Sequence, residues 1–150
     1  MKPLLILLIT FALSFLAIVI FTGKYDFPLA GRIAMCVMLI STGIAHFVYT
    51  TGMTIMLPNF IQFRKPLVYI TGIMEMAGGI ALLVPYLKFS AGVFLIVFFV
   101  VLLPANIYAA YNRINYEKGT YDGDGLNYLW FRVPLQILFI VWVYFSAIRF

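Results

Sequence analysis

Six residues set within apolar stretches have side chains that can do chemistry: Arg32, His46, Glu75, Asn106, Arg132 and Gln136. Ionisable and amide groups are expensive to hold in hydrocarbon, so each is a functional candidate. A histidine with a carboxylic acid can carry a proton into a dry site. Arginine, asparagine and glutamine can grip ligand oxygens through N–H donors. Arg32, Cys36, Leu39, Gly43 and His46 are separated by alternating steps of four and three, which is one stripe of a helix. Gly43 lets a second backbone approach beside His46. Gly72, Glu75 and Gly79 form another stripe, with Gly78 adjacent, and small residues beside an acid mark a closely packed interior. Arg132 and Gln136 stand four residues apart and share a face.

Each of these residues also has a plainer reading. Glu75 can be a structural partner of Arg132, or protonated. His46 can be an interhelical hydrogen-bonder. Asn106 can repair a backbone broken by Pro104, Arg132 can anchor at an interface, and Gln136 can be packing glue. Cys36, deep in an apolar run, reads as inert. Met53, Met56, Met74 and Met76 read as filler rather than a metal site. The run Tyr121-Asp122-Gly123-Asp124-Gly125 starts like a calcium loop but lacks the later ligands, so it reads as a turn.

The elements that must position these groups follow from composition. The chain has 150 residues, 65% hydrophobic and 10% charged, with a mean hydropathy of +1.07. A soluble domain is about half apolar and about a quarter charged. This chain has too much apolar surface for a soluble enzyme, a nucleic-acid-binding domain or a disordered segment. The expected fold is an all-α polytopic membrane bundle, a single domain over residues 1–150. The net charge of +5 comes from lysines and arginines scattered between apolar runs, as beside membrane spans, and no nucleic-acid partner is expected. The single cysteine excludes an internal disulfide and any chemistry that needs two thiols. No haem, zinc, phosphate-loop or other cofactor motif is present.

A helix needs about 20 apolar residues to cross the hydrocarbon. Five stretches qualify: residues 3–21, 27–50, 66–86, 90–111 and 128–148. The first is long for a signal peptide and no A-x-A site follows it, so it is expected to be a retained helix. Residues 51–65 and 112–127 are the hydrophilic connections. Pro104 is expected to release the Val100 carbonyl and bend the fourth helix. Pro134 either bends the fifth helix or marks where regular helix starts. With five spans, the N-terminus and both connections lie on one side, side A. Six basic residues on side A against four on side B are too even to orient the bundle.

At about 1.5 Å of rise per residue, His46, Glu75, Asn106, Arg132 and Gln136 lie about 6, 14, 8, 6 and 12 Å below side A. Four helices thus bring polar groups to the same membrane half, and only Arg32 lies at the other end. The simplest assembly is a pocket with Glu75 at its floor, opening toward side A. The loop 112–127, rich in glycine and tyrosine, would be its lid. Glu75 and His46 are the catalytic candidates. Asn106, Arg132 and Gln136 are the ligand-binding ones, with Tyr108 added to that set.

The same runs carry a family resemblance. Ser41-Thr42-Gly43-Ile44-Ala45-His46-Phe47 resembles the first core helix of the DoxX-like membrane proteins. Gly72-Ile73-Met74-Glu75-Met76-Ala77-Gly78-Gly79-Ile80 resembles the second. Leu103-Pro104-Ala105-Asn106-Ile107-Tyr108 and Arg132-Val133-Pro134-Leu135-Gln136 resemble the third and fourth. The resemblance implies a four-helix core over residues 27–150, with residues 1–26 as an added N-terminal helix packed outside it. DoxX-like proteins include small subunits of thiosulfate:quinone oxidoreductases, proteins tied to quinone or catechol stress, and factors that assist receptor assembly.

Two functions follow as expectations. One is a pocket in a bacterial inner-membrane protein for a lipophilic small molecule, a quinone in the most concrete form. It would act beside a partner membrane or redox protein that supplies electrons. The other is a non-enzymatic assembly or accessory factor, whose lipid-facing small residues, such as Ala105 and Ala109, bind the partner. A proton-coupled transporter fits less well, because no inverted repeat is visible.

Overall fold

The computed structural model describes residues 2–150. Six α-helices follow in chain order: α1 Lys2–Thr22, α2 Phe27–Val48, α3 Thr50–Ile55, α4 Arg64–Ala81, α5 Lys88–Tyr111 and α6 Leu129–Val143. A 3₁₀ turn at Gly125–Tyr128 leads into α6, and a π-helical turn at Tyr144–Ile148 extends it. The expected all-α bundle is the fold.

Among the described residues, four segments are long and apolar enough to cross a membrane: Lys2–Thr22, Phe27–Val48, Lys88–Tyr111 and Gly125–Ile148. The third expected span is the exception. It is helical over the 18 residues Arg64–Ala81 and carries Arg64, Lys65 and Glu75, while residues 82–87 turn back into α5. Eighteen residues reach about 27 Å, just under the hydrocarbon thickness.

α2 is the hub of the bundle and packs on α1, α3, α4 and α6. Its start is fixed locally: the Asp26 carboxylate accepts from the Leu29 N–H at 2.9 Å, and Pro28 sits in the first turn. Met35, Met38 and Leu39 from α2 join Leu82, Leu95 and Val143 in the fully buried core. α1 is the most apolar helix and the least enclosed; of its residues, Leu7 is buried, while Leu13, Leu16 and Phe21 face outward as lipid-facing groups do. It lies against α2, where Ser14 donates to the Ala30 carbonyl at 3.3 Å, and Phe11 meets Trp142 edge-on. Trp142 in turn donates to the Gly31 carbonyl at 3.0 Å and ties α6 to α2.

Several boundaries and contacts differ from expectation. The connection 51–65 is not all loop, because α3 forms directly after α2. α6 begins at Leu129, five residues before Pro134, so that proline lies inside the helix. α5 continues through Pro104. The carbonyl taken up by a side chain in this region is that of Phe99 rather than Val100, with Gln136 Nε2 donating to it at 2.6 Å. Ala109 is 5% exposed, so the Ala105–Ala109 pair is not an open lipid-facing patch.

The tightest interhelical approach in the polar half is between α2 and α4. A Cβ on Gly72 would lie 2.7 Å from the His46 Cβ and 3.1 Å from the Gly43 carbonyl. A Cβ on Gly43 would lie 2.9 Å from the Gly72 carbonyl. The two glycines let these backbones touch, and that contact sets the reach of His46.

Candidate functional site

His46, Glu75, Asn106, Arg132 and Gln136 all line one cavity of about 600 Å³. Its walls are otherwise largely apolar, with Met38, Leu39, Phe99, Leu135 and Phe139 among them. Tyr108 does not line it; its carbonyl instead accepts from the Asn112 side chain at 2.9 Å. Arg32 also lies outside, as its distance along α2 requires, with its Nε buried and unpartnered.

The polar groups form two clusters on different walls. On the α2–α4 wall, His46 Nδ1 lies 3.0 Å from the Val68 carbonyl oxygen. A carbonyl only accepts, so this bond places a hydrogen on Nδ1. Thr71 Oγ1 donates to the same carbonyl at 2.9 Å and lies 3.2 Å from His46 Nδ1. The other ring nitrogen, Nε2, faces Glu75 Oε2 at 3.6 Å. Glu75 is 6% exposed, and its Oε2 has no hydrogen-bond partner. Closing that gap by less than 1 Å would join the pair through one shared proton.

On the α5–α6 wall, Arg132 donates from one terminal nitrogen to the Tyr128 hydroxyl at 3.1 Å and from the other to Asn106 Oδ1 at 3.0 Å. Asn106 Nδ2 donates to Gln136 Oε1 at 3.2 Å, and Gln136 closes the chain on the Phe99 carbonyl. Asn106 and Gln136 are both buried. Asn106 therefore bonds side chains rather than repairing the backbone near Pro104; Gln136 makes the bond to the backbone. Among the described residues, no carboxylate lies within 4.0 Å of Arg132, so Glu75 is paired with His46 and not with Arg132.

The mouth contains residues that spacing within helices cannot reveal. Lys2, Met53, Met56, Tyr116 and Glu117 also line the cavity. Met53 and Met56 thus have a lining role beyond filler. Lys2 at the start of α1 donates to Glu117 Oε1 at 2.8 Å, joining the first helix to the 112–127 loop. That loop is folded. Asn115 pairs with Thr120, and the Asn115 side chain accepts from the Glu117 and Lys118 N–H groups. The Tyr116 carbonyl rests directly on Gly52 of α3, where a larger residue has no room. The Tyr116 ring meets Tyr49 edge-on at 6.0 Å. Burial pushes the Tyr116 phenol up from its ordinary range. The hydrogen bond from Lys2 holds the Glu117 carboxyl below the usual range, and one from Thr120 does the same for Asp122.

Among the described residues, no group of three or more His, Cys, Asp or Glu side chains is placed to hold a metal ion. The fold and cavity define a class: a small helical bundle with membrane-length helices and a largely apolar pocket with polar groups on its walls. Residues 35–147 match the model of DUF8561, a domain family of unknown function, and the chain belongs to that family. No curated protein and no solved structure matches it.

Proposed function

We propose that this chain is a DoxX-like protein of the bacterial inner membrane that crosses the bilayer five times and binds a lipophilic small molecule, most concretely a quinone. The observation that carries the reading is the cavity of about 600 Å³, apolar over most of its surface, with polar clusters on two walls. This is the general form of a small-molecule site: apolar enclosure with a few convergent polar groups. The resemblance runs add support, because His46, Glu75, Asn106, Arg132 and Gln136 within them all line that cavity.

In this reading Arg132 holds a head-group oxygen, and Asn106 and Tyr128 keep its guanidinium in place. His46 and Glu75 hold and pass a proton beside the head group. Val68 and Thr71 fix the imidazole so that Nε2 faces Glu75. The 112–127 loop acts as the lid, latched to α1 by Lys2 and Glu117. The chain works as a redox-associated subunit, with electrons supplied by a partner membrane or redox protein.

Purification in native-lipid nanodiscs, followed by mass spectrometry of extracted small molecules, tests this. About one quinone per chain is expected, and Arg132→Met should lose it. A co-purifying membrane protein with no lipophilic small molecule would replace this reading with that of an assembly factor.

A further inference from the structure

Below the mouth, the polar groups at His46, Glu75, Asn106, Arg132 and Gln136 sort into an accepting wall and a donating wall. The consequence rests on the small-molecule reading above and narrows it to a chemical form of the ligand.

On the α2–α4 wall, the Nδ1 hydrogen of His46 is directed to the Val68 carbonyl at 3.0 Å, and Thr71 donates to that oxygen as well. Neutral His46 then has a bare Nε2, which accepts. Glu75 Oε2 faces that nitrogen at 3.6 Å, beyond hydrogen-bonding distance, and as a carboxylate it offers only lone pairs. Among the described residues, no N–H or O–H donates to Glu75 Oε2, which is buried, and the residue as a whole is 6% exposed. A buried carboxyl without a donor is an unfilled position.

On the α5–α6 wall every bond runs the same way: Arg132 to Asn106, Asn106 to Gln136, Gln136 to the Phe99 carbonyl. Guanidinium has five N–H donors. Arg132 directs one to Asn106 and one to Tyr128, so further donors remain.

We propose that the cavity selects a hydroxyl-bearing ring, a quinol or phenol, over the corresponding quinone. The ligand hydroxyl donates to Glu75, and a ligand oxygen accepts from Arg132. A quinone has two acceptors and no donor. It satisfies Arg132 but sets a lone pair against the Glu75 carboxyl. A quinol hydroxyl both donates and accepts, so it suits both walls.

The test uses the full chain in phospholipid nanodiscs and three probes: a decyl-substituted benzoquinone, its hydroquinone kept reduced without oxygen, and the hydroquinone dimethyl ether. Calorimetric titration should give a Kd for the hydroquinone at least about tenfold lower than for either other probe, as one hydrogen bond to a carboxylate oxygen implies. Glu75→Gln should narrow the gap between quinone and hydroquinone, because the new amide N–H can donate to a quinone carbonyl while the hydroquinone still finds an acceptor. Equal or tighter binding of the quinone by the unaltered protein overturns the inference. If quinone and hydroquinone bind equally and Arg132→Met weakens both, the cavity reading stands and the donor requirement falls. If Arg132→Met changes the binding of none of the probes, both fall. Should Glu75→Gln fail to fold, the order of the three probes on the unaltered protein decides alone.

Discussion

Gly72→Ala tests the joint that positions His46. The new Cβ would sit 2.7 Å from the His46 Cβ and 3.1 Å from the Gly43 carbonyl. These are a side-chain root and a backbone atom, so neither can swing aside. Reaching ordinary contact at 3.4 Å requires α2 and α4 to part by about 0.7 Å at this point. The same movement lengthens the 3.0 Å bond from His46 Nδ1 to Val68 toward 3.7 Å, beyond hydrogen-bonding length. Overpacking costs about 1–3 kcal/mol. The lost hydrogen bond adds about 0.5–1.5 kcal/mol. The expected destabilisation is therefore about 1.5–4.5 kcal/mol. Reversible unfolding in mixed micelles measures it. Gly92→Ala is the control, because its Cβ would meet the Ile148 side chain at 3.1 Å and the Ala147 Cβ at 3.2 Å, both looser than the 2.7 Å at Gly72, and should cost less. His46→Gln should cost less in the Gly72→Ala background than alone, since the bond it removes is already broken. Equal stability of the two alanine variants, or full additivity with His46→Gln, would refute the idea that this contact sets the imidazole.

Gln136→Leu leaves Asn106 Nδ2 without its acceptor and the Phe99 carbonyl without its donor, and should destabilise by about 2–4 kcal/mol in the same unfolding assay. Gly52→Ala should lift the Tyr116 backbone off α3 and speed proteolytic nicking between Gly119 and Gly125; unchanged nicking would mean the loop is held elsewhere. The loop latch should also respond to acid. Glu117 has its folded pKa lowered by Lys2, so its contribution is present above the unfolded carboxylate pKa and is lost as pH falls through the lower folded value. Nicking should therefore accelerate below the usual carboxylate range, and Glu117→Gln should remove that step. The effect will be small, because the pair is largely exposed.

Composition and hydrophobic spacing were enough to establish a helical bundle with membrane-length segments. Rise per residue alone brought His46, Glu75, Asn106, Arg132 and Gln136 to the same membrane half, and they do share a cavity. Depth is legible because it depends only on helix geometry and on where each apolar run ends. Partnership is not. Whether Glu75 meets Arg132 or His46 depends on how each helix is rotated and how closely its neighbour approaches, and side-chain packing along whole helices decides both. The Gly43–Gly72 contact draws His46 onto α4, so the acid on that helix faces the imidazole. Tyr108 fell outside the cavity for the same reason: two residues beyond Asn106, it is turned to a different face of α5. Lys2, Tyr116 and Glu117 were beyond the reach of any spacing argument, because Lys2 and Glu117 are 115 residues apart in sequence and only the folded bundle brings them together.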